Sequence, residues 1–149
     1  MSELRIRRME ERDVQQVAAI EAESFSLPWS EQAFRDSLAM YHTIFLVADL
    51  EGRIAGYCGW YQSLEEAEIT NVAVKQELRG KGIARELLQE LFRVGTAQGV
   101  FAYTLEVRVS NTPAIHLYES LGFENVGIRR DFYEKPTEDA MIMWRRWQA

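Results

Sequence analysis

The most constraining feature of the sequence is a loop rich in glycine and basic residues that joins a strand-like run to a strong helical segment. The run before the loop is Val72-Ala73-Val74, and apolar residues recur at helical spacing from Lys81 to Ala97. Gly80 and Gly82 stand where the loop meets the helix, and glycine lets backbone N–H groups approach a ligand closely. The chain must therefore carry a strand, a tight loop and a long helix in direct succession.

This junction predicts an anion-binding site. The first turn of a helix has free N–H groups and the positive end of the helix dipole, a combination suited to a pyrophosphate. Arg79, Lys81 and Arg85 add positive charge around it. Two other nucleotide loops fail on spacing, since a Walker loop needs Ser or Thr after Gly80-Lys81, and a Rossmann fingerprint needs a small residue where Arg85 stands. Alternatively, the glycines only form a tight strand-to-helix turn.

Hydrophobic periodicity divides the rest of the chain into strands and helices. Helices are expected at 13–25, at 30–38 with Ser30 as N-cap, and at 113–121 with Thr112 as N-cap and Gly122 past the end. Strands are expected at 4–8, 43–49, 53–61, 68–74, 103–109, 123–128 and 140–147. Three successive strands with short turns imply an antiparallel meander. The whole predicts one α/β domain over residues 1–149, with a mixed sheet and helices on both of its faces.

Composition and charge restrict the partners and the compartment. The formal net charge is -6 at pH 7, which argues against sequence-independent nucleic-acid binding and favours a basic partner, unless it serves solubility alone. No run approaches a membrane span of ~20 apolar residues, and the N-terminus lacks the apolar core of a signal peptide, so we expect a cytoplasmic protein. The single cysteine, Cys58, lies in an apolar run and is expected to be a buried structural thiol. His42 and His116 are isolated, so no metal site is expected.

Two motifs resemble those of a known enzyme family. Residues 79–84, R-G-K-G-I-A, resemble the Q/R-x-x-G-x-G/A signature of the GNAT acetyltransferase superfamily, with Ala84 in the last position. Residues 105–123, which contain L-E-V-R, an Asn and then L-Y-E-S-L-G-F, resemble a segment of the ribosomal-protein alanine N-acetyltransferases and their N-terminal acetyltransferase relatives. Further similar segments lie at 25–30, 71–74 and 132–143. The resemblance therefore covers nearly all of the chain from Phe25 onward.

The resemblance implies the GNAT fold, a central mixed sheet flanked by about four helices, and acetyl-CoA as the co-substrate. It implies transfer of the acetyl group to the N-terminal α-amine of a protein, most of all a basic ribosomal protein that begins with alanine. Two alternatives stay open at this point. The acceptor could be lysine, a polyamine or another small amine, or the chain could be a non-catalytic acyl-CoA-binding regulatory module, because a fold does not fix a function.

Two side chains are candidates for the proton transfers that amide formation requires. Glu106 interrupts the apolar alternation of Leu105 and Val107, so it points to the opposite face of its strand, either into solvent or toward a substrate amine. Tyr118 lies on the following short helix, where it could pack in the core or act on a ligand. The resemblance implies that Glu106 is the general base and that Tyr118 donates a proton to the leaving thiolate.

The remaining site residues are also implied by the resemblance. Val74 would stabilise the developing oxyanion through its backbone N–H, and Asn111 would hydrogen-bond CoA, cap a helix, or do both. Trp29 and Tyr133 would wall the peptide entrance, or simply pack. The acetyl-CoA site would comprise Val72, Ala73, Val74, Arg79, Gly80, Lys81, Gly82, Ile83, Ala84, Arg85, Asn111 and Tyr118. Acidic residues at 65, 66 and 68 would attract an arginine-rich N-terminus or only solvate a turn.

Overall fold

The computed structural model describes residues 3–146 and contains seven strands and four α-helices. The strands are β1 (Leu4–Arg8), β2 (Thr43–Leu50), β3 (Arg53–Ser63), β4 (Glu66–Val74), β5 (Ala102–Arg108), β6 (Glu124–Tyr133) and β7 (Glu138–Arg146). The helices are α1 (Val14–Ser24), α2 (Glu31–Leu38), α3 (Ile83–Ala97) and α4 (Thr112–Ser120), and 3₁₀ turns lie at Glu11–Asp13 and Gln76–Leu78. The predicted end of the last strand, Trp147, lies outside the described residues.

All seven strands belong to one mixed sheet, in the order β1-β2-β3-β4-β5-β7-β6. Strands β1 to β4 pair antiparallel in sequence order, which confirms the predicted meander. Strand β4 then pairs parallel with β5, and β5, β7 and β6 pair antiparallel. The long connection through α3 is what allows β4 and β5 to run in the same direction.

Helices cover both faces of the sheet, as predicted. Helix α3 packs on one face, where Leu87, Leu88 and Leu91 are fully buried. Helices α1 and α2 pack on the other face, where Val17 and Phe34 are fully buried. Each such side chain contributes about 1.5–3 kcal/mol through burial, so the two apolar helix stripes hold the layers together. The buried, unpaired thiol of Cys58 lies in the α3-side core, which confirms the expectation of a structural cysteine.

Strand β4 contains a bulge that its alternating sequence does not reveal. Asn71 faces Gly59 across the β3–β4 ladder and Ile69 faces Trp60, so Thr70 is the extra residue. A bulge reverses the side-chain alternation beyond it. Ile69 accordingly lies in the α3-side core, whereas the Asn71 side chain is buried on the α1 side, where its amide donates to Glu21.

Several predicted element ends differ from the structure by one or more residues, and three of these differences have a clear local cause. Thr112 was expected to cap α4, but the cap is Asn111, whose side-chain oxygen accepts from the N–H of Ala114 at 3.3 Å. Helix α3 begins at Ile83, because Gly82 adopts φ 81 and is its N-cap. Strand β6 runs to Tyr133 rather than to 128, because β7 continues to pair with it.

Candidate active site

The centre of the sheet opens where β4 and β5 diverge. Their parallel pairing begins at Glu66 and ends where Glu68 faces Thr104. Beyond these residues the two strands have no ladder between them, although β4 stays paired to β3 and β5 to β7. A wedge-shaped opening therefore lies between the C-terminal halves of two neighbouring strands, and it ends at the loop that precedes α3.

The backbone of β4 presents hydrogen-bonding groups to this opening. The N–H of Lys75 donates to the carbonyl of Ala55 on β3 at 2.8 Å. Because antiparallel ladders alternate, Val72 and Val74 turn their N–H and C=O groups away from β3 and toward β5. The guanidinium of Arg79 confirms this direction, since its Nε donates to the Val74 carbonyl at 3.1 Å. An extended amide chain could add to this edge as a further strand does.

The loop at the end of the opening leaves helix N–H groups free. Gly80 and Gly82 have φ values of 79 and 81, in the left-handed region that glycine tolerates. The first bond within α3 runs from the N–H of Glu86 to the Gly82 carbonyl, so the N–H groups of 83–85 have no helical partner. The Ile83 side chain is buried in the core and Ala84 packs against it, which leaves their backbone as the part that can face an anion.

The three cations of the loop take different positions. Arg79 folds back onto the protein, where its Nη2 donates to Ser24 Oγ at 3.3 Å in addition to the Val74 contact. Arg85 reaches α4, where it donates to Ser120 Oγ at 2.8 Å. Lys81 is exposed and makes no ion pair within residues 3–146. Lys81 and Arg85 thus lie at the start of α3, whereas the Arg79 charge is directed to β4.

Glu106 lies on β5 beyond the last paired residues, with its side chain on the face opposite the buried Leu105 and Val107, as predicted. Arg129 Nη1 is 2.8 Å from Glu106 Oε2, but the angles do not suit a hydrogen bond, so the contact is an ion pair. Burial raises the pKa of the Glu106 carboxyl above its ordinary value, Arg129 opposes that rise, and Glu68 adds to it. A carboxylate with a raised pKa is a stronger base.

Tyr118 lies on α4 with 7% of its surface exposed. Its ring packs edge-on against Phe123, with centroids 5.7 Å apart, so the side chain is part of the core. Burial raises the pKa of the Tyr118 phenol, and the neighbouring Tyr133 raises it further, so the hydroxyl is protonated at neutral pH and is a weaker acid than a free phenol. Asn111 caps α4 as described, so the capping interpretation of this residue is confirmed.

The two aromatic residues expected at the acceptor entrance occupy distinct positions. Trp29 packs against Phe34 with ring centroids 5.2 Å apart, and it lines a pocket of about 300 Å³ together with Glu68. Tyr133 lies at the end of β6 with its ring 4.5 Å from the Arg108 guanidinium carbon. Burial, and then the charge of Glu106, raise the pKa of Tyr133 to about 12, and the charge of Arg108 opposes that rise.

Sequence reasoning missed Glu21, which is buried with 3% of its surface exposed. Its carboxylate accepts from the hydroxyl of Tyr57, from Asn71 Nδ2 at 3.3 Å and from the backbone N–H of Trp29 at 3.0 Å. Glu21 thereby ties α1 to the bulged strand and to the segment that carries Trp29. The signal was available, because Glu21 continues the helical spacing of Val17 and other apolar residues that face the core.

Arg108 was also missed as a functional candidate, because it shares the face of β5 with Glu106 and that face could simply be solvated. Its guanidinium instead donates to four oxygen atoms, which lie in the α1–α2 loop, in the β6–β7 loop and on Glu138 at the start of β7.

No helix of the described chain is long and apolar enough to cross a membrane. Residues 3–146 also contain no group of three or more His, Cys, Asp or Glu side chains that could hold a metal ion.

Comparison with known proteins agrees with this geometry. The model of the acetyltransferase (GNAT) family matches residues 14–123. This chain belongs to the GNAT family. It is an acetyl-CoA-dependent N-acetyltransferase.

Individual relatives are similar over nearly the whole chain. The sequence is 38% identical over 140 residues, 93% of each protein, to a Bacillus subtilis protein to which alanine N-acetylation of ribosomal protein bS18 is provisionally assigned. It is 37% identical over 139 residues, 91% of this chain and 92% of the relative, to the [ribosomal protein bS18]-alanine N-acetyltransferase of Escherichia coli. The crystal structure of the E. coli ribosomal-protein-S18-alanine N-acetyltransferase superposes with a TM-score of 0.90 at 34% identity, covering 98% of this chain and 96% of that one.

Proposed function

We propose that this GNAT enzyme, a single domain over residues 1–149, acetylates the N-terminal α-amine of a protein in the cytoplasm, and that its natural acceptor is a basic ribosomal protein that begins with alanine. The observation that carries the proposal is the placement of Glu106, a carboxylate of raised pKa, on the strand that borders the β4–β5 opening. The B. subtilis and E. coli relatives, whose names state that activity, support the choice of acceptor.

In the proposed reaction, the acceptor amine attacks the acetyl carbonyl carbon directly. A terminal α-amine has a pKa near ~8, so part of it is protonated at neutral pH and must lose a proton before or during attack. Glu106 takes that proton, directly or through one water. Its raised pKa favours this role, and its position on the face away from the α3 core lets an acceptor approach from the side of the α1–α2 loop.

The leaving group is a thiolate, and Tyr118 supplies the proton that it takes up as the C–S bond breaks. The raised pKa keeps the phenol protonated until that point. The N–H of Val74 faces the opening and is the donor that we assign to the carbonyl oxygen as negative charge develops on it. The free N–H groups of 83–85, with Lys81 and Arg85 beside them, suit the pyrophosphate of acetyl-CoA.

Thiol release from acetyl-CoA tests the proposal. The acceptors are a hexapeptide that begins Ala-Arg, the same peptide with a blocked N-terminus and an internal lysine, and spermidine. Turnover with only the free N-terminus supports the proposal. Turnover with only lysine or spermidine assigns another acceptor, and tight acetyl-CoA binding without turnover indicates a binding module.

Two variants test the assigned roles. Glu106→Gln and Tyr118→Phe should each lower kcat by about 100-fold or more, because general acid–base catalysis typically contributes 10²–10⁴-fold. Glu51→Gln, which removes an exposed carboxylate on the turn between β2 and β3, is the matched control and should keep wild-type turnover. Wild-type activity in Glu106→Gln would remove the base from the mechanism.

A further inference from the structure

Arg108 links three segments that surround the acceptor side of the site. Its Nη1 donates to the Pro136 carbonyl at 3.0 Å and to Glu138 Oε1 at 3.2 Å. Its Nη2 donates to Ser26 Oγ at 3.2 Å and to the Glu134 carbonyl at 3.0 Å. One side chain on β5 therefore contacts the loop between α1 and α2, the loop between β6 and β7, and the first residue of β7.

The two loops also contact each other around this guanidinium. Ser26 Oγ in the α1–α2 loop donates to the Glu134 carbonyl in the β6–β7 loop at 2.9 Å. The Glu134 carbonyl therefore accepts from both Ser26 and Arg108. Glu138 in turn accepts from the backbone N–H of Ser110 at 2.7 Å, which adds the turn between β5 and α4. Only 24% of the Arg108 side chain is exposed. These contacts form a closed ring of hydrogen bonds.

Arginine is the side chain that this arrangement requires. The guanidinium is planar and rigid, and its N–H groups can reach several acceptors at once, whereas the ammonium of lysine is a single point charge. The face of the same guanidinium lies 4.5 Å from the Tyr133 ring centroid, within the range of a cation–π contact. Arg108 thus fixes a backbone loop and an aromatic ring in one geometry.

Arg108 connects these contacts to the proposed general base, Glu106, because both residues lie on β5. It lies two residues after Glu106 on β5, on the same face of the strand. The α1–α2 loop that it holds through Ser26 carries Trp29, and the β6–β7 loop follows Tyr133 directly. Arg108 therefore contacts both of the segments that carry or adjoin these two aromatic residues.

We propose that Arg108 is a positioning residue that sets the width of the acceptor entrance. It holds the α1–α2 and β6–β7 loops at a fixed separation above Glu106 and so determines the affinity for the acceptor chain. Within residues 3–146 Arg108 makes no hydrogen bond or ion pair to the loop at the start of α3, and it reaches the turn before Asn111 only through Glu138, so acetyl-CoA binding should depend on it much less than acceptor binding does. The inference rests on the proposed function, because it assumes that the acceptor enters between these two loops.

Steady-state kinetics of Arg108→Gln test the proposal. The variant should raise KM for the acceptor peptide by about tenfold or more, which corresponds to about 1.4 kcal/mol, while the Kd of acetyl-CoA stays within twofold. Arg108→Lys should recover part of the loss, because it restores the charge without the fork. Arg53→Gln, an exposed arginine on β3 with no ion pair within residues 3–146, is the control. An unchanged acceptor KM with a reduced kcat, or an equal loss of acetyl-CoA affinity, would overturn the positioning role.

Hydrogen exchange separates this proposal from the proposed function. Arg108→Gln should increase deuterium uptake in residues 25–29 and 132–138 and leave uptake in α3 unchanged. If the wild type fails to acetylate the free N-terminal peptide, the proposed acceptor is wrong, but the exchange result still reports whether Arg108 holds the loops. Unchanged uptake in both loops would contradict the inference even if the enzyme acetylates the peptide.

Discussion

The charges around Glu106 provide a test in which two variants should move activity in opposite directions. Arg129 stabilises the Glu106 carboxylate, and Glu68 destabilises it. In Arg129→Gln the carboxylate loses its cation, so its pKa rises and less of it is ionised as the pH falls. In Glu68→Gln it loses a like charge, so its pKa falls and more of it stays ionised. If Glu106 is the base, kcat/KM on the acid limb should decrease in the first variant and increase in the second.

The magnitude for Arg129→Gln is set by exposure. The ion pair is short at 2.8 Å, but 57% of the Arg129 side chain is exposed, so solvent screens it. Exposed pairs contribute about 0.2–1 kcal/mol, so kcat/KM on the acid limb should fall by roughly 1.5- to 5-fold. Well above the pKa of Glu106 the carboxylate is fully ionised in every variant, and no change is expected there from this cause.

The assay is kcat/KM as a function of pH with the free N-terminal peptide, and each variant is normalised to its own value at pH 8. The α-amine of the acceptor titrates identically in every reaction, so its contribution cancels between variants. Arg130→Gln removes the same charge one residue along β6 and should leave the profile unchanged, because within residues 3–146 the ion pair to Glu106 comes from Arg129. Equal shifts of the pH profile in Arg129→Gln and Arg130→Gln would refute the assignment of Glu106 as the titrating base. Changes in kcat/KM that do not depend on pH would refute it as well.

Two further predictions concern stability and cofactor binding. Gly82→Ala should lower the free energy of unfolding by about 1–2 kcal/mol in urea titrations and weaken acetyl-CoA binding, because φ 81 strains alanine even though an added methyl would meet nothing within 4 Å. Gly127→Ala, where a methyl also meets nothing and φ is not positive, should change neither quantity. Glu21→Gln should lower the free energy of unfolding by about 1–3 kcal/mol, because one of the buried donors to this carboxylate is left without an acceptor. Tyr57→Phe should lower it by less, because it removes the hydroxyl donor itself and the Glu21 carboxylate keeps its other two donors, Asn71 and the backbone N–H of Trp29. Equal unfolding free energies for Glu21→Gln and the wild type would contradict the role of that carboxylate.

Local sequence patterns predicted most of the fold because each element carries its own periodicity and boundaries. The apolar residues that recur at helical spacing along α3 predicted that Leu87, Leu88 and Leu91 lie in the core. The alternation of apolar and polar residues along β5 predicted which face of the strand carries Glu106. The N-cap of α4 was misplaced by one residue because Asn111 and Thr112 are both good caps, and only the backbone geometry selects between them. Such errors arise from competition between adjacent residues and leave the architecture intact.

Long-range contacts explain what the patterns could not show. Nothing local in β4 distinguishes Thr70 as a bulge residue, since the bulge is defined by the register against β3. The contacts of Arg108 join residues 26, 108, 134, 136 and 138, which converge only after the sheet has formed.

The opening between β4 and β5 shows the same limit at the scale of the sheet. Each strand alone is a regular run of residues, and the opening exists because their shared ladder stops at Glu68 and Thr104 while both outer ladders continue. The helix N-terminus that suits an anion follows at the end of β4, and the candidate base lies on β5. The proposed mechanism therefore depends on an interruption in strand pairing. The motif residues indicate the candidates for the reacting groups, and the interrupted pairing leaves an opening through which a substrate could reach them.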